Sequence, residues 1–110
     1  MTRFTALHSM LREGFESEYD TAHARIPDDL LAAHHRAGIR DWQIWRSGRH
    51  LFHLVDCDDF DAARRHLEND PANERWQSII GGYVDHFEAP AAGEWALPLV
   101  WRMTDQVADC

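Results

Sequence analysis

Tyr19 and His23 stand one helical turn apart, and they are the pair in this chain best suited to moving a proton. An imidazole with an ordinary pKa near ~6.5 can take and return a proton at neutral pH. A phenol one turn away can orient it or hydrogen-bond a ligand. Trp42 and Trp76 add flat apolar faces, and Gln77 adds an amide. Gathered around one space, these groups suit a ring-shaped polyol. Indole faces would stack on its C–H side, while phenol, imidazole and amide meet its hydroxyls. Taken singly, each side chain also reads as core filling, so the chemistry depends on their convergence. His8 and His53 are candidates for a second proton carrier, and each also reads as a satisfied sheet histidine.

Other chemistries find little support. Eight histidines invite a search for metal ligands. However, no H-x-x-x-H pair lies on a helix face and no C-x-x-C occurs. His34 and His35 are adjacent and diverge, and His50 and His53 fall on opposite faces of a strand. There is no G-x-S-x-G, glycine-rich phosphate loop or dinucleotide fingerprint. The expectation is therefore no cofactor and no metal.

The elements that must position these groups can be read in order. Arg3 to Arg12 alternates as a strand, with Phe4, Ala6, His8 and Met10 on one face and Thr5, Leu7, Ser9 and Leu11 on the other. Glu13 to Gly38 reads as an amphipathic helix whose buried stripe is Tyr19, His23, Ile26, Leu30, His34 and Ala37. Pro27 lacks an N–H, so that helix must kink or restart there. Gly38 suits the residue just past its end. Ile39 to Trp45 and Leu51 to Asp56 form a hairpin turning at Arg46 to Arg49. Asp58 or Asp59 caps a helix over Phe60 to Asn69, and Asp70-Pro71 starts another. The latter places Trp76, Ile80, Tyr83 and Phe87 on one stripe, weakened at Gly81-Gly82. Residues 89–96 read as a connector, Leu97 to Met103 as the last strand and residues 104–110 as a tail. The order βαββαβ predicts an α+β ferredoxin-like sandwich, a single domain over 1–110 with helices on one face of an antiparallel sheet. The second sheet face is also apolar, which predicts a homodimer packed sheet against sheet, a dimeric α+β barrel.

Composition narrows the partners. A net charge of −8 without a basic stripe disfavours nucleic acid and anionic membranes. No apolar run has the ~20 residues of a membrane helix. The N-terminus lacks the pattern of a secretory signal, and Cys57 and Cys110 make no disulfide framework, so a reduced cytoplasmic protein is expected.

With these residues in place, the chain resembles the L-rhamnose mutarotase family. Tyr19-x-x-x-His23 matches that family's Y-x-x-x-H on the first helix. The likeness continues through Ile26, Leu30, Gly38, Leu51-Phe52, Asp59-Phe60 and Arg75-Trp76, over roughly residues 3 to 88. The resemblance implies a homodimeric, cofactor-independent enzyme that interconverts the anomers of a 6-deoxy-hexose. His23 would be the proton donor, and Tyr19, Trp42, Trp76 and Gln77 would bind substrate. The chain departs from the family where Trp42 replaces a tyrosine, Gln77 replaces the second of two tryptophans, and the H-x-x-I-W-P-E-L run reads His23-Ala24-Arg25-Ile26-Pro27-Asp28-Asp29-Leu30. These changes leave the sugar open between L-rhamnose and L-fucose. The same fold also serves cofactor-free monooxygenases and haem-handling proteins, and a non-enzymatic sugar-binding module is a third reading.

Overall fold

The computed structural model describes residues 4–89 and 94–107. Four strands form one antiparallel sheet in the order β2-β3-β1-β4. They are β1 (Phe4–Leu11), β2 (Ile39–Ser47), β3 (His50–Cys57) and β4 (Val84–Phe87). Between them run α1 (Glu16–His23), α2 (Asp28–Arg36), α3 (Phe60–Glu68) and α4 (Pro71–Ile80), and α5 (Met103–Val107) follows near the end. This is the α+β sandwich that the alternation of patterns predicts.

The register sorts the side chains by face. Leu7 lies opposite His53, Ser9 opposite Leu51, and Val55 opposite both Thr5 and Trp42. Because successive residues point to opposite faces, Leu7, Ser9, Leu51, His53, Val55, Trp42 and Ile44 share the helix-covered face. Phe4, His8, Phe52 and Trp45 share the other. Phe4, Trp45 and Phe52 are 49%, 54% and 41% exposed there.

The helix predicted over Glu13 to Gly38 is two helices. Pro27, extended at ψ 146°, is the residue from which α2 restarts, and its carbonyl accepts from the amides of Leu30 and Leu31. Without an N–H at position 27 the chain cannot continue α1 past His23. Gly38, at φ +89°, adopts the left-handed conformation that turns α2 into β2.

Two expectations are corrected. The stripe through Trp76, Ile80, Tyr83 and Phe87 does not continue as one helix: α4 stops at Ile80, Gly81-Gly82 turns, and Val84–Phe87 pairs with β1. At Gly81 a Cβ would lie 2.7 Å from the Gln77 carbonyl oxygen, so the turn requires glycine. Nor do residues 97–103 form the fourth strand: Val84–Phe87 is that strand, pairing with β1 over Ser9–Leu11 and continued by the bond from the Glu88 amide to the His8 carbonyl. Leu97 makes one bond to β1, donating from its amide to the Ala6 carbonyl at 2.8 Å, and Met103, the last residue of the expected strand, begins α5, which runs on into the expected tail. Part of the connector, residues 90–93, and the chain end including Cys110 lie outside the described residues.

The helix-side interior is two apolar clusters. One gathers Leu7, Ala33, Ile39, Val55, Ala63 and Leu67, with Trp42, Phe60 and Trp95 against it. The other gathers Leu11, Tyr19, Leu51 and Ile80, with Ile44, Trp76 and Val84 against it.

Candidate active site

A cavity of about 910 Å³ opens on the helix side of the sheet, and residues of both clusters line it. Its walls include all five residues singled out from the sequence: Tyr19, His23, Trp42, Trp76 and Gln77. They form two groups rather than one.

The first group is Tyr19, His23 and Trp76. The imidazole stacks on the phenol ring, with centroids 4.1 Å apart, and meets the Trp76 indole edge-on at 5.1 Å. α1 positions the pair. Its Asp20 takes a bidentate ion pair from Arg46 of β2, at 2.8 and 2.7 Å, which ties this short helix to the sheet. α4 positions the indole, and Arg75, beside Trp76, pairs with Asp29 of α2. The buried cap Asp70 accepts from the Ala72 amide at 3.0 Å and takes Arg36 of α2 at 2.8 Å.

The tautomer of His23 follows from its partner. Nδ1 lies 3.0 Å from the Tyr19 carbonyl oxygen, which can only accept, so Nδ1 carries the hydrogen. In the neutral ring Nε2 then keeps its lone pair. Burial disfavours the imidazolium and holds the His23 pKa below 6.5, against smaller opposing effects of the Tyr19 carbonyl and Asp20. The group is therefore a neutral base at physiological pH. Tyr19, 4% exposed, has its pKa pushed far up by burial and then by the nearby charge of Asp20, so it stays a neutral phenol.

The second group is centred on Trp42. Its indole N–H donates to His53 Nδ1 at 3.1 Å, and the ring stacks on His34 with centroids 5.6 Å apart. An indole N–H only donates, so His53 Nδ1 is bare and Nε2–H donates to Ser9 Oγ at 3.0 Å. Both nitrogens of His53 are thus committed. Burial, and then the charges of His23 and His8, bring its pKa down to about 4. His53 is a supporting residue of the cleft floor, matching its reading as a satisfied sheet histidine. His8 lies on the outer face, 3.0 Å from His50 and stacked on Phe52, away from the cleft.

Several lining residues were not among the sequence candidates. His34 lies on the buried stripe that the Glu13 to Gly38 pattern predicts, and the structure brings it to the cleft wall. It is half-buried, and burial together with the neighbouring His35 lowers its pKa. Phe87 shares helical spacing with Trp76, Ile80 and Tyr83, yet it reaches the cleft from β4 and stacks on His53 at 5.7 Å. Trp95, expected in a connector, packs edge-on against Phe87 at 5.5 Å. Arg64 carries its guanidinium 5.2 Å from the Trp95 ring centroid. A signal for Arg64 was present, since it falls on the inward stripe with Phe60, Ala63 and Leu67; none existed for Trp95. Cys57 is buried beneath the sheet's end, and burial raises its pKa. Among the described residues no three His, Cys, Asp or Glu side chains converge to hold a metal ion, and no helix is long and apolar enough to cross a membrane.

Comparison with known proteins bears on the family and the fold. The family model for L-rhamnose mutarotase matches residues 4–103. L-rhamnose mutarotases of Paraburkholderia phytofirmans and Paraburkholderia xenovorans are each 36% identical over 52 residues, 46% of this chain and 49% of theirs. The chain thus spans about half the length of the curated relatives it matches. Among solved structures, an L-rhamnose mutarotase from Formosa agariphila superposes with a TM-score of 0.71 at 16% identity, over 92% of this chain and 98% of that one. Tetracenomycin F2 cyclase from Streptomyces glaucescens shares the fold with a TM-score of 0.59 at 17% identity, over 91% and 97% of the two chains.

Proposed function

Because this chain belongs to the L-rhamnose mutarotase family, we propose that it interconverts the α and β anomers of a 6-deoxy-hexose, L-rhamnose or L-fucose, by acid–base ring opening without a cofactor. The observation that carries this reading is the Tyr19–His23–Trp76 cluster. It holds a neutral imidazole with Nδ1–H tied to a carbonyl and Nε2 left to act in a cavity of sugar-binding size.

The chemistry follows from that tautomer. Nε2 of His23 takes the proton of the anomeric hydroxyl as the bond from C1 to the ring oxygen breaks. O1 becomes the aldehyde oxygen, and the bonding pair goes to the ring oxygen. The imidazolium returns its proton to that oxygen, which one nitrogen can serve because both oxygens share C1 in the closed ring and are still adjacent as it opens. The aldehyde turns about C1–C2, and the steps reverse on the other carbonyl face. His23 is proton acceptor first and proton donor second. Tyr19, held as a neutral phenol, supports the ring of His23 by stacking and donates to a sugar oxygen. Trp76 and Trp42 supply apolar faces on the two walls, and Gln77 supplies an amide to read a hydroxyl. A second copy of the chain covers the exposed sheet face bearing Phe4, Trp45 and Phe52, giving the homodimer.

Saturation-transfer NMR at the anomeric protons of L-rhamnose, L-fucose and other aldoses tests the reading. The protein is expected to accelerate exchange for a 6-deoxy sugar, and His23→Ala to lower it by roughly 10²–10⁴-fold. Near-normal exchange in that variant would remove His23 from the mechanism. Binding without exchange would make the cleft a sugar-binding module instead.

A further inference from the structure

Polar side chains on the Trp42 wall of the cleft are almost all committed within the protein. Trp42 donates to His53, His53 donates to Ser9, and Asn73 Nδ2 donates to the Leu67 carbonyl. Arg40 holds Asp56 and Asp58, and Arg64 pairs with Glu68. His34 is the exception. It enters the wall from α2, half-buried, and stacks on the Trp42 indole. Among the described residues neither of its ring nitrogens has a hydrogen-bond partner, and neither is sealed from solvent. Burial, and then the neighbouring His35, lower its pKa, so the ring is neutral at physiological pH. It therefore offers one N–H and one lone pair to whatever enters the cleft, whichever tautomer it adopts.

The stacking geometry sets what those nitrogens can reach. The two rings lie 23° from parallel, with centroids 5.6 Å apart. Rings in contact are separated by ~3.5–4 Å, so that distance includes a sideways offset of about 4 Å. The imidazole thus covers one part of the indole face and sets its edge beside the remainder. A pyranose laid on that remainder with its C–H side down is level with the imidazole. Imidazole hydrogen bonds run in the ring plane, and hydroxyls project sideways from the pyranose rim, so the two meet edge to edge. Trp42 can hold a sugar ring without choosing among its hydroxyls, because its own N–H is taken by His53. His34 supplies the choice.

Resting on the mutarotase reading of this cleft, with Trp42 as a sugar-binding face, we propose that His34 is a specificity-determining residue, a ring nitrogen of which hydrogen-bonds one ring hydroxyl of the sugar seated on Trp42. A site with a partner placed for a hydroxyl rejects the analogue that lacks it, because that partner is then left unpaired.

The test measures binding by calorimetry and anomeric exchange by NMR, using the preferred sugar of the panel and its 2-, 3- and 4-deoxy analogues. Wild type is compared with His34→Leu, which keeps apolar bulk against Trp42 and removes both nitrogens. His34→Ala removes them too and guards against misfolding of the first variant, since alanine is the residue a helix accepts best. Wild type is expected to bind one of the deoxy analogues roughly 5- to 100-fold more weakly than the parent. In the folded His34 variants that gap should shrink to within about threefold, while any gap at another position persists. Wild type without a gap at any position overturns the proposal. A gap that persists in the variants overturns it as well, and a loss of equal size for all four sugars is that outcome. So does an absence of sugar binding to wild type. Binding with the expected gap and its closure but no exchange would sustain His34 as the reader of that hydroxyl and overturn only the mutarotase reading.

Discussion

Acidification should weaken this fold through one identifiable side chain, His53. Its Nδ1 accepts from Trp42 and its Nε2–H donates to Ser9, so the neutral ring is satisfied on both sides. Protonation would put a second hydrogen against the Trp42 N–H in a site where His53 is 6% exposed. The pKa is about 4 in the folded state and 6.5 for an ordinary histidine. The unfolded chain therefore binds more protons across that interval, and the contribution has a definite sign. Stability is complete above pH 6.5, falls as pH drops through the window and is fully lost below about pH 4. At about 1.4 kcal/mol per tenfold change in proton affinity, the loss by pH 4 is about 3 kcal/mol. His53→Gln removes the titration but keeps the pairing, since its amide can accept from Trp42 and donate to Ser9. Urea denaturation of both proteins at about pH 7.5 and pH 4, with the difference between them taken, cancels the carboxylates and the other histidines. Wild type should lose about 3 kcal/mol more than the variant. Equal losses, or an NMR titration of the His53 ring centred near its ordinary value, would refute the reasoning.

The anomeric exchange rate should be flat at neutral pH and fall on the acid side with one ionisation centred below 6.5, since burial holds His23 there; a midpoint above 6.5 would contradict the assigned base. Phe52→Lys places a charge on the exposed sheet face and should convert a dimer into a folded monomer by light scattering; a wild-type chain that is already monomeric would remove the sheet-to-sheet interface. Leu51→Ala, at a fully buried position against Leu11 and Tyr19, should cost about 2–5 kcal/mol in chemical denaturation, whereas Ile79→Ala on the exposed side of α4 should stay within about 0.5 kcal/mol. Comparable losses at the two positions would contradict the burial assigned to Leu51.

The sequence by itself determined the parts of the site that local geometry controls. Tyr19 and His23 fall one turn apart on a buried stripe, Trp42 alternates onto the helix-covered face of a strand, and Asp70-Pro71 starts the helix that carries Trp76. Each follows from a period of 3.6 or 2 within a single element. The break at Pro27 is equally local, because one missing N–H ends α1 at His23. Tertiary structure decided what no single element contains. Phe87 sits at helical spacing from Tyr83, yet pairing with the open edge of β1 makes it a strand residue. Residues 97–103 read as a strand, yet β4 pairs with the Ser9–Leu11 part of the β1 edge, and Leu97 meets the remainder through its amide bond to the Ala6 carbonyl rather than through a ladder. Trp95 comes to the cleft from a segment without regular structure and sets its ring against the guanidinium of Arg64, thirty-one residues earlier in the chain. Periodicity states which way a side chain faces; only the packed chain states what stands opposite, because that neighbour lies dozens of residues away along the sequence.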